Sequence, residues 1–240
     1  MEKGKFKEEC MVCGSVLEYL DTPVSARCIY CGREEQSYFR CPHGHFVCNH
    51  CHANEAVIKI TQYCLASSSA NPSAMLEELM ADETMAMHGP EHHALVPAVL
   101  VTAYRNKTGN LGEQAIIEAI QRGSKVPGGF CGIYGACGAG IGAGIAVSII
   151  TGSTPLKAEP RALSNRMTGE ALLAIAAQGG IRCCKASSRL ALEVAAQFLQ
   201  DRLNCRLDRN DTPRCAYMNR NAQCNLTECR YFPVRKARKA

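Results

Sequence analysis

Val126-Pro127-Gly128-Gly129-Phe130-Cys131-Gly132-Ile133-Tyr134-Gly135-Ala136-Cys137-Gly138-Ala139-Gly140-Ile141-Gly142-Ala143-Gly144 is the stretch on which the fold turns. Eight of these nineteen residues are glycine. The segment opens as turns around two cysteines and closes as a small-residue helix. Gly138, Gly140 and Ala143 fit a loose GxGxx(G/A) pattern. A dinucleotide-binding turn of that kind follows a β-strand. No strand-like alternation precedes it here and no acidic residue follows at the usual distance, so a dinucleotide site is poorly supported. Gly and Ala at intervals of three and four instead let other helices approach closely. Glycine beside cysteine also leaves room for a bulky cluster and lets backbone amides donate to sulfur.

The neighbouring sequence is helical. Asn71 reads as an N-cap with Pro72 at the first helical position, leading into Met75, Leu76, Leu79 and Met80. Pro90 opens a helix carrying Leu95, Val99 and Tyr104. Leu111 to Arg122 is another, with Gly123 as its stop. Ala171 to Gln178 and Ser188 to Leu203 complete the set, with apolar residues three or four apart. We expect a mainly α domain over 71–233, bounded by the polar loop Ala66-Ser67-Ser68-Ser69-Ala70-Asn71-Pro72.

The chain is 47% hydrophobic and 20% charged, which places it among globular proteins rather than disordered ones. Its longest apolar run, Ile141 to Ile150, is about half of the ~20 residues a membrane helix needs. The opening MEKGKFKEEC has no apolar h-region, so neither signal peptide nor membrane anchor is expected, and the location expected is cytoplasmic. In that reducing setting, sixteen cysteines point to metal or redox chemistry rather than disulfides.

Residues 1–64 form the first expected module, a small zinc-ribbon-like or treble-clef-like unit containing β-structure. Cys10-Met11-Val12-Cys13-Gly14 and Cys28-Ile29-Tyr30-Cys31-Gly32 are two knuckles with the spacing of a tetrahedral structural zinc site. Cys41, His43, His45, Cys48 and Cys51 supply a second set, with His43 and His45 as alternatives beside Cys41. Sequential and interleaved ligation are both open on spacing alone. So short a module cannot bury much core, so metal would supply much of its folding energy.

The helical domain carries three further groups. Cys131 and Cys137 with one of Cys183 and Cys184, in Arg182-Cys183-Cys184-Lys185, would make three thiolates. Such a set leaves one iron of a 4Fe–4S cluster open as a Lewis acid or a place for sulfide. Inert buried cysteines are the structural alternative. His88-Gly89-Pro90-Glu91-His92-His93 places Glu91, His92 and His93 in a first helical turn, where amides are unpaired and the dipole is positive. His88, His92 and His93 are thus candidates for acid–base work or ligation, with Glu91 beside them. Cys205, Cys215, Cys224 and Cys229 lie in a polar segment that a second cluster or a zinc ion would tie down.

Residues 201–240 carry ten Lys/Arg against four Asp/Glu, and the chain ends in the basic tail 234–240. That tail could touch phosphates or acidic partners, but few aromatics interleave with the charges, so nucleic-acid binding is poorly supported.

The HGPEHH, PGGFCG with CGAG, RCCK and closing Cys224…Cys229 motifs together resemble a family of uncharacterised Cys-rich domains of methanogens and anaerobic bacteria. The resemblance covers roughly residues 41–233. It implies an anaerobic setting compatible with oxygen-sensitive clusters, and a protein partner such as a redox or sulfur carrier, or a radical-SAM or methyltransferase system. No radical-SAM CxxxCxxC triplet and no methyltransferase glycine loop occurs here, so those activities do not carry over. The expectation is therefore a zinc- and iron–sulfur-binding metalloprotein with a redox, sulfur-handling or Lewis-acid role. If it is an enzyme, sulfur transfer, desulfidation or a lyase step is the reaction type. The rival is a non-catalytic zinc adaptor that docks to a protein or nucleic acid.

Overall fold

A computed structural model describes residues 9–210 and 213–233. The basic tail 234–240 lies outside the described residues. The chain divides into two compact units, Met1–Asn54 and Glu55–Ala240.

In the first unit, β1 (Glu18–Arg27) pairs antiparallel with β2 (Glu34–Arg40), from Glu18 opposite Arg40 to Arg27 opposite Glu34, with an irregularity between Tyr19 and Val24. Both strands are mostly exposed. What this unit buries is chiefly its cysteines: Cys10, Cys28, Cys41 and Cys48 are inside. Helix α1 (Asn49–Ala66) starts directly after Cys48 and runs past residue 54. The sequence reading had no helix here.

The second unit is helical, as expected. Helix α2 (Pro72–Ala81) is capped by Asn71, whose side-chain oxygen accepts the Ala74 N–H at 3.0 Å, with Pro72 at the start. Helix α3 (Glu91–Thr108) is buried without a break from Glu91 to Ala103. Helix α4 (Glu113–Gly123) shows a cleaner apolar stripe. After the single turn α5 (Phe130–Ile133) comes α6 (Gly138–Ile150), which packs on α3, α4, α7 and α8.

Helix α6 can sit so centrally because its glycines come in pairs one turn apart. Gly138 lies against the His93 ring, and a Cβ on Gly142 would stand 2.8 Å from Pro97 Cδ. Those four residues are matched turns of α6 and α3. On another face, Gly140 meets Leu172 and Gly144 meets Thr168 of the next helix. Pro97 has no N–H to offer the His93 carbonyl, and Gly123 and Gly142 both crowd that carbonyl with bare backbone.

Helix α7 (Ala158–Gln178) begins well before the expected Ala171, and it buries only Met167 and Ala171. It therefore shows no apolar stripe in its first half. Helix α8 (Cys184–Leu203) starts at Cys184 rather than Ser188. Arg189 of α8 grips Glu77 of α2 through two bonds of 2.6 Å, and it is only 2% exposed. The described residues beyond α8 contain one short 3-10 turn, Leu226–Glu228. That segment returns along α8: the Cys215 N–H donates to Tyr231 O (2.7 Å), and the Tyr231 hydroxyl donates to Glu193 (2.8 Å). No helix among the described residues is long and apolar enough to cross a membrane.

Candidate metal centres

In the first unit the ligands gather into two groups, Cys10, Cys13, Cys41 with His45, and Cys28, Cys31, Cys48 with Cys51. Within each group all ligand atoms lie within 4.8 Å of one another. The grouping interleaves along the chain: the first knuckle joins the third segment, and the second knuckle joins the fourth. Cys13 and Cys41 sulfurs are 3.5 Å apart, and those of Cys31 and Cys48 are 3.6 Å apart. A tetrahedron with Zn–S bonds of about 2.3 Å has an edge of roughly 3.8 Å, so this spacing suits one ion. Of the two alternative histidines, His45 points its Nδ1 at Cys41 Sγ (3.7 Å), while His43 contributes its backbone N–H to that sulfur (3.4 Å).

The turn after each second cysteine places Gly14 and Gly32 at positive φ (71° and 72°), where other residues are strained. Hydrogen bonds from Ser15 hold the Cys13 thiol down to about 6. Burial beside Cys31 and Cys48 pushes Cys51 up to about 12. Thiols so crowded cannot all ionise until a cation shares the space.

The second unit holds a buried polar cluster at the start of α3. Glu91 and His92 are at most 1% exposed. The Glu91 carboxylate folds back over Gly89, where a side chain would collide with it. His92 Nδ1 lies 3.3 Å from Gly89 O and 3.3 Å from Glu91 Oε1. His93 Nδ1 is 2.9 Å from the Val126 carbonyl, so that nitrogen carries the hydrogen and Nε2 is left as the lone-pair nitrogen. His88 Nε2 meets Asn221 Oδ1 at 3.1 Å. Burial lowers the pKa of both His88 and His93, which keeps the rings neutral.

Three of the cysteines share this neighbourhood. Cys137 is the N-cap of α6, next to the Gly138 that receives the His93 ring. Cys184 is the first residue of α8 and accepts the Gly89 N–H. Burial pushes its thiol up to about 12, with Cys137 and Glu91 adding their repulsion. Cys131, on the exposed side in α5, is within electrostatic reach of Cys137. Lys185 completes the cluster. Its ammonium donates to Met80 O (2.9 Å) and lies 4.5 Å from the Tyr217 ring centre, and burial lowers its pKa to about 8 against the pull of Glu91.

Cys183 does not share the surroundings of Cys184. It lines a small cavity with Cys215, Cys224 and Cys229, together with Arg189, Asn221 and Phe232. The Tyr217 N–H donates to Cys215 Sγ (3.3 Å), the Leu226 N–H to Cys224 Sγ (3.4 Å) and the Asn221 amide to Cys183 Sγ (3.6 Å). Cys205 stands apart, buried in the main apolar core.

Sequence reasoning gave no role to Lys185, which it met only as part of the RCCK motif, and passed over Arg189 and Asn221. The first two were within reach: they are one turn apart on α8, in phase with buried Leu192 and Ala196, and cations on a buried face signal a charged neighbour. Asn221 had no such signal in its irregular segment.

Helices, a small sheet and clustered thiols define a cysteine-rich metal-binding protein with two four-ligand sites that could hold a metal ion. The chain belongs to a family of unknown function, DUF5714, which it matches over residues 60–232. No curated protein and no solved structure matches it.

Proposed function

We propose that this chain is an iron–sulfur metalloprotein whose working centre is held by Cys131, Cys137 and Cys184, with zinc bracing the first unit. The observation that carries this reading is that Cys137 and Cys184, at the starts of α6 and α8, lie beside Glu91 and His93 at the start of α3, with Cys131 of α5 in electrostatic reach of Cys137. Burial holds the Cys131 and Cys184 thiols up, so a cation at the site must supply the stabilisation their ionisation needs, with the α8 N-terminus assisting at Cys184. Three thiolates leave one iron of a 4Fe–4S cluster without a protein sulfur, and the group would supply a Lewis acid or a one-electron centre when bound. Around it, His93 offers an uncharged Nε2 as a base, Glu91 a carboxylate and Lys185 a cation that burial has made easier to deprotonate. Such a set suits redox, sulfur-handling or lyase-type chemistry.

Iron and sulfide analysis of protein purified without oxygen tests this. Cys131→Ser and Cys184→Ser should each lose about four irons per chain while zinc is retained. Full iron in both variants would refute the assignment.

One observation favours the adaptor reading of the first unit. The residues between the paired cysteines, Met11-Val12 and Ile29-Tyr30, are all exposed. Two apolar fingertips suit an apolar protein surface better than a phosphate backbone. Zinc alone in the purified chain, with no iron, would leave this as the whole function.

A further inference from the structure

We infer that Cys183, Cys215, Cys224 and Cys229 form a separate metal site that takes a four-iron iron–sulfur cluster, ligated by all four thiolates. The site goes beyond the Cys131, Cys137 and Cys184 reading and does not depend on it.

The four sulfurs come from separate places in the chain: the N-cap of α8, the residue paired to Tyr231, and the two ends of the loop around Leu226–Glu228. They nonetheless line one cavity. The cavity is small, with little free space between its lining side chains. An organic ligand has no room. An inorganic core fits better, because its metal atoms sit at bonding distance from the sulfurs, well inside contact distance.

Three of the four sulfurs already have N–H donors aimed at them. Cys215, Cys224 and Cys183 accept N–H groups at 3.3, 3.4 and 3.6 Å. Hydrogen bonds to sulfur are among the features that tune such clusters. Cys183 caps α8, where the helix dipole favours negative charge. Arg189 lines the same cavity, and its grip on Glu77 still leaves it beside Cys215. A cluster with four thiolates is anionic, and Arg189 is the one cation on the described lining.

Spacing separates iron–sulfur from zinc. Among the described residues, the groups whose ligand atoms all fall within 4.8 Å are the two of the first unit. The four cavity thiols ring a wider space than one Zn²⁺ spans at its roughly 3.8 Å tetrahedral edge. Full ligation leaves no iron open, so this centre stores charge or pins the irregular segment rather than binding substrate. Cys183 and Cys184 are consecutive, so the two proposed centres are joined through one peptide unit with Cα atoms about 3.8 Å apart.

The test compares wild type, Cys224→Ser, Cys229→Ser and Cys205→Ser, all purified without oxygen, by iron, sulfide and zinc content and by electron paramagnetic resonance after dithionite reduction. Cys205→Ser should match wild type. Cys224→Ser and Cys229→Ser should each lose about four irons and four sulfides, with zinc and helical circular dichroism unchanged. Variants that keep their iron, or that lose zinc in its place, overturn the proposal. The double variant Cys131→Ser/Cys184→Ser leaves the C-terminal segment intact, and it should retain about four irons even if the loop variants fail to fold. A colourless double variant overturns the site. Iron lost only through Cys224 and Cys229 would uphold it and dismiss the three-thiolate centre instead.

Discussion

Gly138 lacks a side chain because the His93 ring occupies the place where one would go. That single absence seats the ring beside Cys137, and the Val126 carbonyl then fixes which nitrogen carries the hydrogen. The cost of this placement is a histidine that cannot charge easily. Burial holds the His93 pKa below its ordinary value, with His92 pressing in the same direction and Glu91 opposing. An unfolded histidine titrates near 6.5. Below that pH the unfolded chain takes up a proton that folded His93 resists. Stability is therefore full above about pH 6.5 and declines as the pH falls through the window beneath it. We expect chemical denaturation between about pH 7 and pH 5 to show this decline, at most about 1.4 kcal/mol per pH unit from one group. His93→Gln should show a shallower decline. An equal slope in the variant would remove His93 as its source.

At the scale of elements, α6 is where glycine matters and α7 is where it does not. A Cβ on Gly142 would stand 2.8 Å from Pro97 Cδ and 3.2 Å from the His93 carbonyl, both part of a buried helix that has no free direction to move. Gly142→Ala should destabilise the second unit by about 1–3 kcal/mol. Gly169, exposed on α7, has nothing within 4 Å of its Cβ position. Gly169→Ala should add about 0.5–1 kcal/mol through helix propensity alone. Thermal melts of the two variants should move in opposite directions, and a shared sign would refute the packing argument. The same contrast explains what could be read in advance. The glycine spacing on α6 announced close helix contacts, and Asn71-Pro72 announced the start of α2. The first half of α7 was hidden because its polar residues carry no apolar period. The partition of Cys183 from Cys184 was hidden too, because neighbouring residues at a helix start diverge by a backbone rotation that spacing does not record. Cys215, Cys224 and Cys229 were legible as a group, but Cys205 was attached to them by proximity in sequence although it belongs to the apolar core.

Across the whole molecule the two units differ in what stabilises them. The second has a continuous apolar core built from α1 to α4, α6 to α8 and the segment after α8. Among its described residues the first buries Cys10, Cys28, Cys41, Cys48, Ser37 and Ala53, which is too little apolar surface to offset the entropy of ordering them. Its ligand groups must do that work, and binding free energy at such sites is folding free energy. Stripping metal from the first unit with a strong chelator at neutral pH should unfold it while the helices of the second persist. Limited proteolysis followed by mass spectrometry reads this directly. Before chelation, the knuckles between Cys10 and Cys51 should resist cleavage. Afterwards cuts should appear throughout that span, and a resistant fragment should remain that begins within α1 and contains α2 to α8. Far-ultraviolet circular dichroism should fall only slightly, because the first unit contributes mostly strand and turn. If the knuckles stay protected without metal, their order comes from packing and the argument from burial fails. If the helical fragment is digested at the same rate as the knuckles, the second unit depends on chelatable metal as well. That result would shift its stability from the apolar core to the cysteine sites around α8.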